Sequence, residues 1–244
     1  MGEFLGHVFS WGVALQVMCL IHFFNRRPDS FWLFVIFFGS VVGSAIYIVM
    51  EVVPDLAQIK ASVNSYSRKR RIKVLEALVQ VNPAIGHREE LADLLLEEGH
   101  YARARAIYND IISPRTDEID MFYRRGLCAM GMDDPTAAIP DLERVSSQDV
   151  KYDFYRATGM LAHAYALTGD PEKADRHFRT ATEISTLSET MVNYALFLFA
   201  QGRDADARAW AQKVADKQVT LPRYLRRRER PWIKRANALL KKKA

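Results

Sequence analysis

The stretch AHAYALTGDPEKADRHF, residues 162–178, decides the fold of this 244-residue chain. It opens with small and aromatic residues at helical spacing and is interrupted at Gly169 and Pro171. It then resumes with Ala174 and Phe178, four residues apart. Glycine suits the position after a helix, proline suits the first turn of the next one, and residues four apart share a helix face. The stretch therefore predicts two helices joined by a tight turn.

The same arrangement recurs along the second part of the chain. Its key alanines are Ala104, Ala138, Ala174 and Ala207, which are separated by 34, 36 and 33 residues. An internal period of this size is typical of stacked repeats, in which each unit buries its apolar face only against its neighbours. The spacing predicts an all-α solenoid of about four units over residues 85–220.

These residues resemble tetratricopeptide repeats. The resemblance implies that the first helix of each unit lines a concave groove in which a protein or peptide binds. In this register the predicted groove residues are Glu89, Asp93, Leu96, Glu97, Asp120, Tyr123, Leu127, Met130, Arg156, His163, Leu167, Val192, Leu196 and Phe199.

The predicted groove changes from acidic to apolar along its length. Its first unit contributes Glu89, Asp93 and Glu97, whereas its fourth unit contributes apolar side chains. A partner that is basic and then apolar, as an extended peptide or an amphipathic helix, would complement such a groove. The Lys and Asn residues of the family's carboxylate-binding members are missing, which disfavours an acidic C-terminus as ligand. Alternatively, part of the apolar face packs against the chain's own C-terminal helix.

The N-terminal part of the chain contains two apolar runs, Phe4–Phe24 and Phe31–Val53. A helix needs about 20 residues to cross the hydrocarbon core of a bilayer, and each run is long enough. The residues between them, NRRPDS at 25–30, predict a tight return. The sequence therefore predicts a two-helix transmembrane hairpin that anchors the chain over residues 1–56.

A strip of small residues, Gly39 and Gly43, lies on one face of the second run. Such strips let helix backbones approach closely. We expect this face to pack against the first run, at Ser10 and Ala14. Homodimerisation through the same strip is the alternative.

Positive charges near the apolar runs predict the orientation of the hairpin. The link carries two of them, Arg26 and Arg27, whereas the segment at residues 60–73 carries six Lys and Arg. Because the side with more Lys and Arg stays in the cytoplasm, both termini and the repeats are predicted to be cytoplasmic.

The hairpin resembles the N-terminal hairpin of cardiolipin synthases and related phospholipase D-type proteins. The residues that carry the resemblance are Arg27-Pro28-Asp29, Trp32, Gly39, Gly43 and Tyr47. The H-x-K motif of that family is missing, because no histidine has a lysine two residues later. The whole arrangement resembles a family of bacterial membrane proteins with tetratricopeptide repeats, which implies an integral protein of the bacterial inner membrane.

Two basic segments flank the repeats. Residues 57–84 are predicted to form a basic linker and a degenerate leading helix, in which Leu75 and Leu78 face the stack. Residues 221–244 are predicted to form a capping helix that starts at Pro231, together with a basic tail. Residues 223–244 contain ten Lys and Arg and one Glu, so this segment has a net charge of +9.

Three interpretations of these charges remain open. The cluster Arg68, Lys69, Arg70 and Arg71 is predicted to contact anionic lipid. The tail contacts lipid, contacts nucleic acid, or faces solvent or protein. Nucleic acid is disfavoured because no aromatic residues are interleaved with the basic ones.

No motif predicts catalysis, so we expect no catalytic residue, no cofactor and no metal site. Cys19 and Cys128 are expected to be free thiols. The sequence favours a membrane-anchored, non-enzymatic scaffold or adaptor that recruits a protein or peptide partner through its groove. The alternative is a lipid-associated accessory subunit of an envelope or lipid-synthesis enzyme, recognised through the hairpin.

Overall fold

The computed structural model describes residues 2–26 and 30–241. Within these residues it contains α-helices, one π-helical segment and no strand. The helices are α1 (Gly2–Arg26), α2 (Phe31–Tyr47), the π-helical segment Ile48–Val52, α3 (Val53–Val81), α4 (Ile85–Glu97), α5 (Tyr101–Ile111), α6 (Ile119–Gly131), α7 (Pro135–Gln148), α8 (Tyr152–Thr168), α9 (Pro171–Ile184), α10 (Ser188–Ala200), α11 (Asp204–Thr220) and α12 (Arg223–Leu240).

The chain divides into two compact units, Met1–Ser67 and Arg68–Ala244, with the boundary inside α3. We call them the N-terminal unit and the repeat unit. Residues 1, 27–29 and 242–244 lie outside the described part. The middle of the predicted link and the lysines Lys242 and Lys243 therefore fall there, whereas Asn25 and Arg26 belong to the end of α1 and Ser30 directly precedes α2.

In the N-terminal unit, α1 and α2 pack side by side around a small apolar cluster. Cys19 and Phe23 of α1 are buried there against Trp32, Ile36 and Tyr47 of α2. Among residues 13–24 and 31–46, most other large apolar side chains face outwards, Phe38 among the most exposed at 78%. Only one described helical segment, Phe31–Met50, is long and apolar enough to cross a membrane, and Gly12–Phe24 is shorter.

A break in α2 is bridged by a polar side chain from α1. Ser40 has φ 49° and ψ −128°, which interrupts the helix. The interruption leaves carbonyl groups of the preceding turn without helical partners. The Gln16 Nε2 amide donates to two of them, at 2.8 Å from the Ile36 oxygen and 3.3 Å from the Phe37 oxygen.

The predicted small-residue strip packs differently from our expectation. A Cβ atom on Gly39 would meet nothing within 4 Å. A Cβ atom on Gly43 would lie 1.9 Å from the carbonyl oxygen of Val35, so this glycine permits a contact within α2. The close approach of α1 involves Gly12 and Val41 instead, and the Ser10 side chain lies outside the described residues.

The repeat unit is a stack of four helix pairs, α4/α5, α6/α7, α8/α9 and α10/α11, and each pair packs on the next. The four key alanines are fully buried, as the period predicts. A small residue on the first helix is needed as well, because a Cβ atom on Gly126 would come within 3.1 Å of Leu142. The repeat spacing is therefore a consequence of close helix crossing.

The turn inside each pair contains one residue with positive φ. Gly99, Gly169 and Gly202 take this position with φ values of 80°, 82° and 72°. In the second pair the residue is Asp133, with φ 56°. Aspartate tolerates the left-handed region better than most residues do, so the second turn forms without glycine.

The C-terminal part of α3 covers the first pair. Ile72 and Leu75 are buried against α4 and α5. The prediction that Leu78 also faces the stack is wrong, because this side chain is 38% exposed. The buried positions follow i, i+3 and i+7, so Val79 rather than Leu78 completes the apolar face.

At the other end, α12 covers the last pair. Ile233, Ala236 and Leu239 are buried against Val192 of α10 and Val214 of α11. The prediction that this helix starts at Pro231 is wrong, because α12 begins at Arg223 and contains the proline. A proline inside a helix lacks one backbone hydrogen bond. The packing of α12 on two helices offsets that loss.

Candidate binding groove

The first helices of the repeats line two adjoining cavities of the repeat unit. The cavity nearer α4 has a volume of about 500 Å³, and the one nearer α12 has a volume of about 670 Å³. Four residues line both: Leu96 of α4, Tyr123 and Leu127 of α6, and Arg156 of α8. We call the two cavities together the groove.

Half of the predicted groove residues line it. They are Leu96, Asp120, Tyr123, Leu127, Met130, Arg156 and His163. They come from α4, α6 and α8, where the repeat register places side chains on the face of the first helices.

At the α4 end, the acidic side chains Asp120, in the groove, and Asp93, beside it, are already paired. Arg124 contacts Asp93 at 2.9 Å and also donates to Asp120. Tyr108 donates to Asp93, and Tyr152 donates to Asp120. Burial opposes the charge of Arg124, but the two aspartates outweigh burial and raise its pKa. At this end the aspartates are therefore held by an arginine and two tyrosine hydroxyls. They do not form the open acidic surface that the sequence predicted.

A second network spans α6, α8 and α10. The Tyr123 hydroxyl donates to Asp153 at 2.9 Å, and Arg156 lies 3.4 Å from Asp153. The Nε atom of Arg156 lies 3.6 Å from Glu189. Burial raises the pKa of Glu189, although the nearby Arg156 and Arg235 act against that shift.

One donor of this network has no acceptor. The Nε atom of Arg156 is buried and makes no hydrogen bond with any described residue. A separation of 3.6 Å from Glu189 is too long for a hydrogen bond. Leaving a buried donor unsatisfied costs about 1–3 kcal/mol, and more for a charged group.

The remaining predicted residues line neither cavity. Glu97 lies 3.6 Å from Arg68, and Asp93 is held by the first network. Glu89 is also on α4, where burial and then Asp93 raise its pKa. Leu167 and Leu196 are exposed elsewhere on α8 and α10. The other two are in the core: Val192 is fully buried under α12, and Phe199 packs against the same cluster.

Several groove residues escaped the sequence analysis. They are Tyr101, Arg124, Tyr152, Asp153, Met160, Glu189, Asn193, Trp232 and Arg235. Two could have been found from spacing, because Arg124 follows Asp120 by four residues and Met160 follows Arg156 by four. Trp232 and Arg235 could not, since they reach the groove only through the packing of α12.

Part of the predicted lipid-contacting cluster is paired within the repeat unit. Arg68 donates to Glu98 at 2.6 Å, and Arg71 donates to Glu90 at 2.7 and 2.8 Å. Lys69 and Arg70 are exposed. Two of the four cations therefore hold α3 against α4, which reduces the charge this cluster offers to a lipid surface.

Comparison with known sequences supports the repeat register. Residues 155–180 and 188–213 match the sequence profile of the tetratricopeptide repeat. Within these two segments the chain carries tetratricopeptide repeats. The two matched segments cover the third and fourth helix pairs. No curated protein matches the sequence significantly.

Solved tetratricopeptide repeat structures share the fold. MamA 41-end from Desulfovibrio magneticus RS-1 aligns with a TM-score of 0.58 and 16% identity, covering 68% of this chain and 96% of that one. YrrB, described as a TPR protein with an unusual peptide-binding site, aligns with a TM-score of 0.54 and 17% identity, covering 72% of this chain and 89% of that one. At such identities the likeness establishes the fold alone.

Proposed function

We propose that this protein is a membrane-anchored, non-enzymatic scaffold. Its groove binds a peptide or protein segment of a partner, and its apolar N-terminal helices hold it in the membrane with the repeats in the cytoplasm. Tethering raises the local concentration of the groove near membrane partners, so a modest intrinsic affinity suffices.

The mixed lining of the groove carries this proposal. Side chains from α4, α6, α8, α10 and α12 bound it, and the apolar Leu127 and Met160 lie beside the polar Asn193 and Arg156. A peptide supplies a backbone carbonyl oxygen at every residue, and its side chains can fill the apolar surface around Leu127 and Met160. The peptide-binding site of the similar protein YrrB supports the same use of the fold.

The paired acids revise the chemistry expected of the partner. Asp93 and Asp120 already hold Arg124, so a basic segment would have to displace an internal ion pair. A predominantly apolar segment that offers acceptor oxygens fits the groove better than the basic-then-apolar segment predicted from the sequence.

The exposed apolar side chains of the N-terminal unit support the anchor. Val17, Met18 and Ile21 of α1 and Phe34 and Phe37 of α2 are 48–67% exposed in the absence of lipid. Exposed apolar surface on this scale marks an interaction site or a membrane-facing surface.

Site-specific photo-crosslinking in intact cells tests the proposal with the full chain. A benzoylphenylalanine residue replaces Asn193 in the groove, Arg176 on α9 as the matched control, or Phe38 on α2. We expect a discrete protein adduct from position 193 and none from position 176. Equal adducts at both positions, or none at either, contradict the groove. An adduct at position 38 alone favours the accessory-subunit hypothesis, in which the hairpin is the recognition element.

A further inference from the structure

Another cavity of the repeat unit, separate from the two that form the groove, lies on α12. It has a volume of about 530 Å³ and is bounded by α12 and the end of α11. Its charged lining residues are Arg226, Arg230, Lys234 and Lys241, and no acidic side chain lines it. We call it the basic cavity.

The cations of the basic cavity come from one stripe of α12. Arg226, Arg230 and Lys234 follow one another by four residues and Lys241 follows by seven. Either step changes the direction around a helix by only about 20–40°, so these residues share a face. Ile233 and Ala238 contribute an apolar floor to the cavity. Ile233 is also part of the buried contact with α10 and α11. This contact fixes the rotation of α12 about its axis, and hence the direction in which the cations point.

These cations lack the carboxylate partners that several other cations in the repeat unit have. Arg103 pairs with Glu76, Arg125 pairs with Asp141, and Arg203 pairs with Asp175 and Asp206. None of the four cavity cations makes an ion pair with a carboxylate in the described part of the chain. The Arg226 guanidinium instead donates to the Leu221 carbonyl at 2.6 Å and the Val219 carbonyl at 3.1 Å, which fixes it at the α11–α12 turn.

We propose that the basic cavity binds the phosphate headgroup of an anionic phospholipid. Four unpaired cations supply charge-assisted hydrogen bonds to phosphate oxygens, and the apolar floor accommodates the first carbons of the acyl chains. This inference rests on the membrane anchor proposed above, which would bring the repeat unit near lipids. A single-stranded nucleic acid fits less well, because it requires stacking surfaces and no aromatic side chain lines the cavity.

Titration of the full-length protein in neutral maltoside micelles tests this site. The probes are dihexanoyl phosphatidylglycerol, dihexanoyl phosphatidylcholine, inorganic phosphate and a 20-nucleotide single-stranded RNA. We expect saturable binding of the glycerol lipid that exceeds binding of the choline lipid and of phosphate. The triple variant R230Q/K234Q/K241Q is expected to bind about 100-fold more weakly, since each cation near an anionic surface contributes about fivefold.

The matched control removes the same charge elsewhere. The triple variant R115Q/K151Q/R176Q changes three exposed cations outside α12 and is expected to bind the glycerol lipid as the unchanged protein does. An equal loss of lipid binding in both triple variants would show that only the net charge of the protein matters. That result would contradict a binding site in the basic cavity. Retained binding in both would place the lipid on other residues and also overturn it.

Two further results would assign the cavity to another ligand. Phosphate binding as tight as the lipid's would make it a site for the free ion. RNA binding that exceeds lipid binding and is lost in R230Q/K234Q/K241Q would make it a nucleic-acid site. The crosslinking result at position 193 does not depend on this outcome, so the two proposals fail separately.

Discussion

The turn inside each repeat depends on one residue with a left-handed backbone. Glycine marks three of these turns in the sequence, and Asp133 takes the fourth. Asp134 then caps α7 by accepting from the Ala137 amide at 3.1 Å, as Asp170 caps α9 by accepting from Lys173 at 3.1 Å. The second repeat therefore forms the same turn without the glycine that identifies the other three in the sequence.

Gly159 shows how closely neighbouring repeats approach. A Cβ atom at this position would lie 2.6 Å from Thr190 Oγ1 and 2.7 Å from its Cγ2 atom. We expect Gly159→Ala to lower the free energy of unfolding by about 1–3 kcal/mol, because α8 and α10 would have to separate. Thermal unfolding of the full chain in neutral detergent measures the change.

Gly86 provides the control for that substitution. A Cβ atom there meets nothing within 4 Å. Gly86→Ala is expected to leave stability unchanged or raise it by up to about 1 kcal/mol, because alanine favours helix. If both substitutions had the same effect, the close contact at Gly159 would not limit stability.

Burial of His163 predicts a dependence of stability on pH. Burial lowers the pKa of His163, and burial together with Arg176 also lowers that of His177. The unfolded chain therefore binds more protons below about pH 6.5, the usual histidine pKa. The two neutral histidines therefore contribute fully to the free energy of unfolding above that pH. Their contribution is lost as the pH falls towards their folded-state pKa values.

Denaturant unfolding at pH 7.5 and pH 5.5 tests this expectation. Stability should fall less in His163→Gln than in the unchanged protein. Protonation of Glu189, whose pKa is raised by burial, acts in the opposite direction in both proteins and cancels in the comparison. An equal fall in both proteins would show that His163 does not contribute.

The helices of the repeat unit could be placed from the sequence, but their neighbours could not all be identified. Periodic alanines located the four pairs, because close crossing requires a small residue at each crossing point. The groove charge was misjudged since Arg124 was not considered together with Asp93, which lies on another helix. Contacts of this kind depend on the stacking of two repeats and leave no local pattern.

The end of the stack was predicted less well than its middle. Pro231 indicated a helix start, although α12 already begins at Arg223. Proline disfavours a helix interior but does not exclude it where other contacts hold the helix. The rotation of α12, and hence the placement of Trp232 in the groove, follows from apolar contacts with α10 and α11.

The cap formed by α12 is expected to stabilise the last repeat. Leu239 is 5% exposed in the cluster that covers Val192 and Val214. We expect Leu239→Ala to cost about 2–4 kcal/mol and to speed amide hydrogen exchange in α10 and α11 first. Val219→Ala is the control, because Val219 is 80% exposed. Exchange that rises equally throughout α4–α11 would contradict a local role of the cap.

The proposed orientation of the whole chain can be tested with a single introduced thiol. Cys19 and Cys128 are buried, and burial raises the pKa of Cys128 to about 12, so neither reacts readily. A cysteine in place of the exposed Glu172 should react with a membrane-impermeant maleimide in inverted membrane vesicles and not in intact spheroplasts. Labelling in intact spheroplasts would place the repeats outside the cytoplasm.

The stacking of each helix pair on the next has a consequence for synthesis of the chain. Contacts between residues near in sequence form quickly, because little loop entropy is lost in closing them. Each later pair leaves the ribosome after its neighbour and finds that neighbour already made. The stack can thus be assembled in the order of translation, and α12 covers the final pair after α10 and α11 have formed.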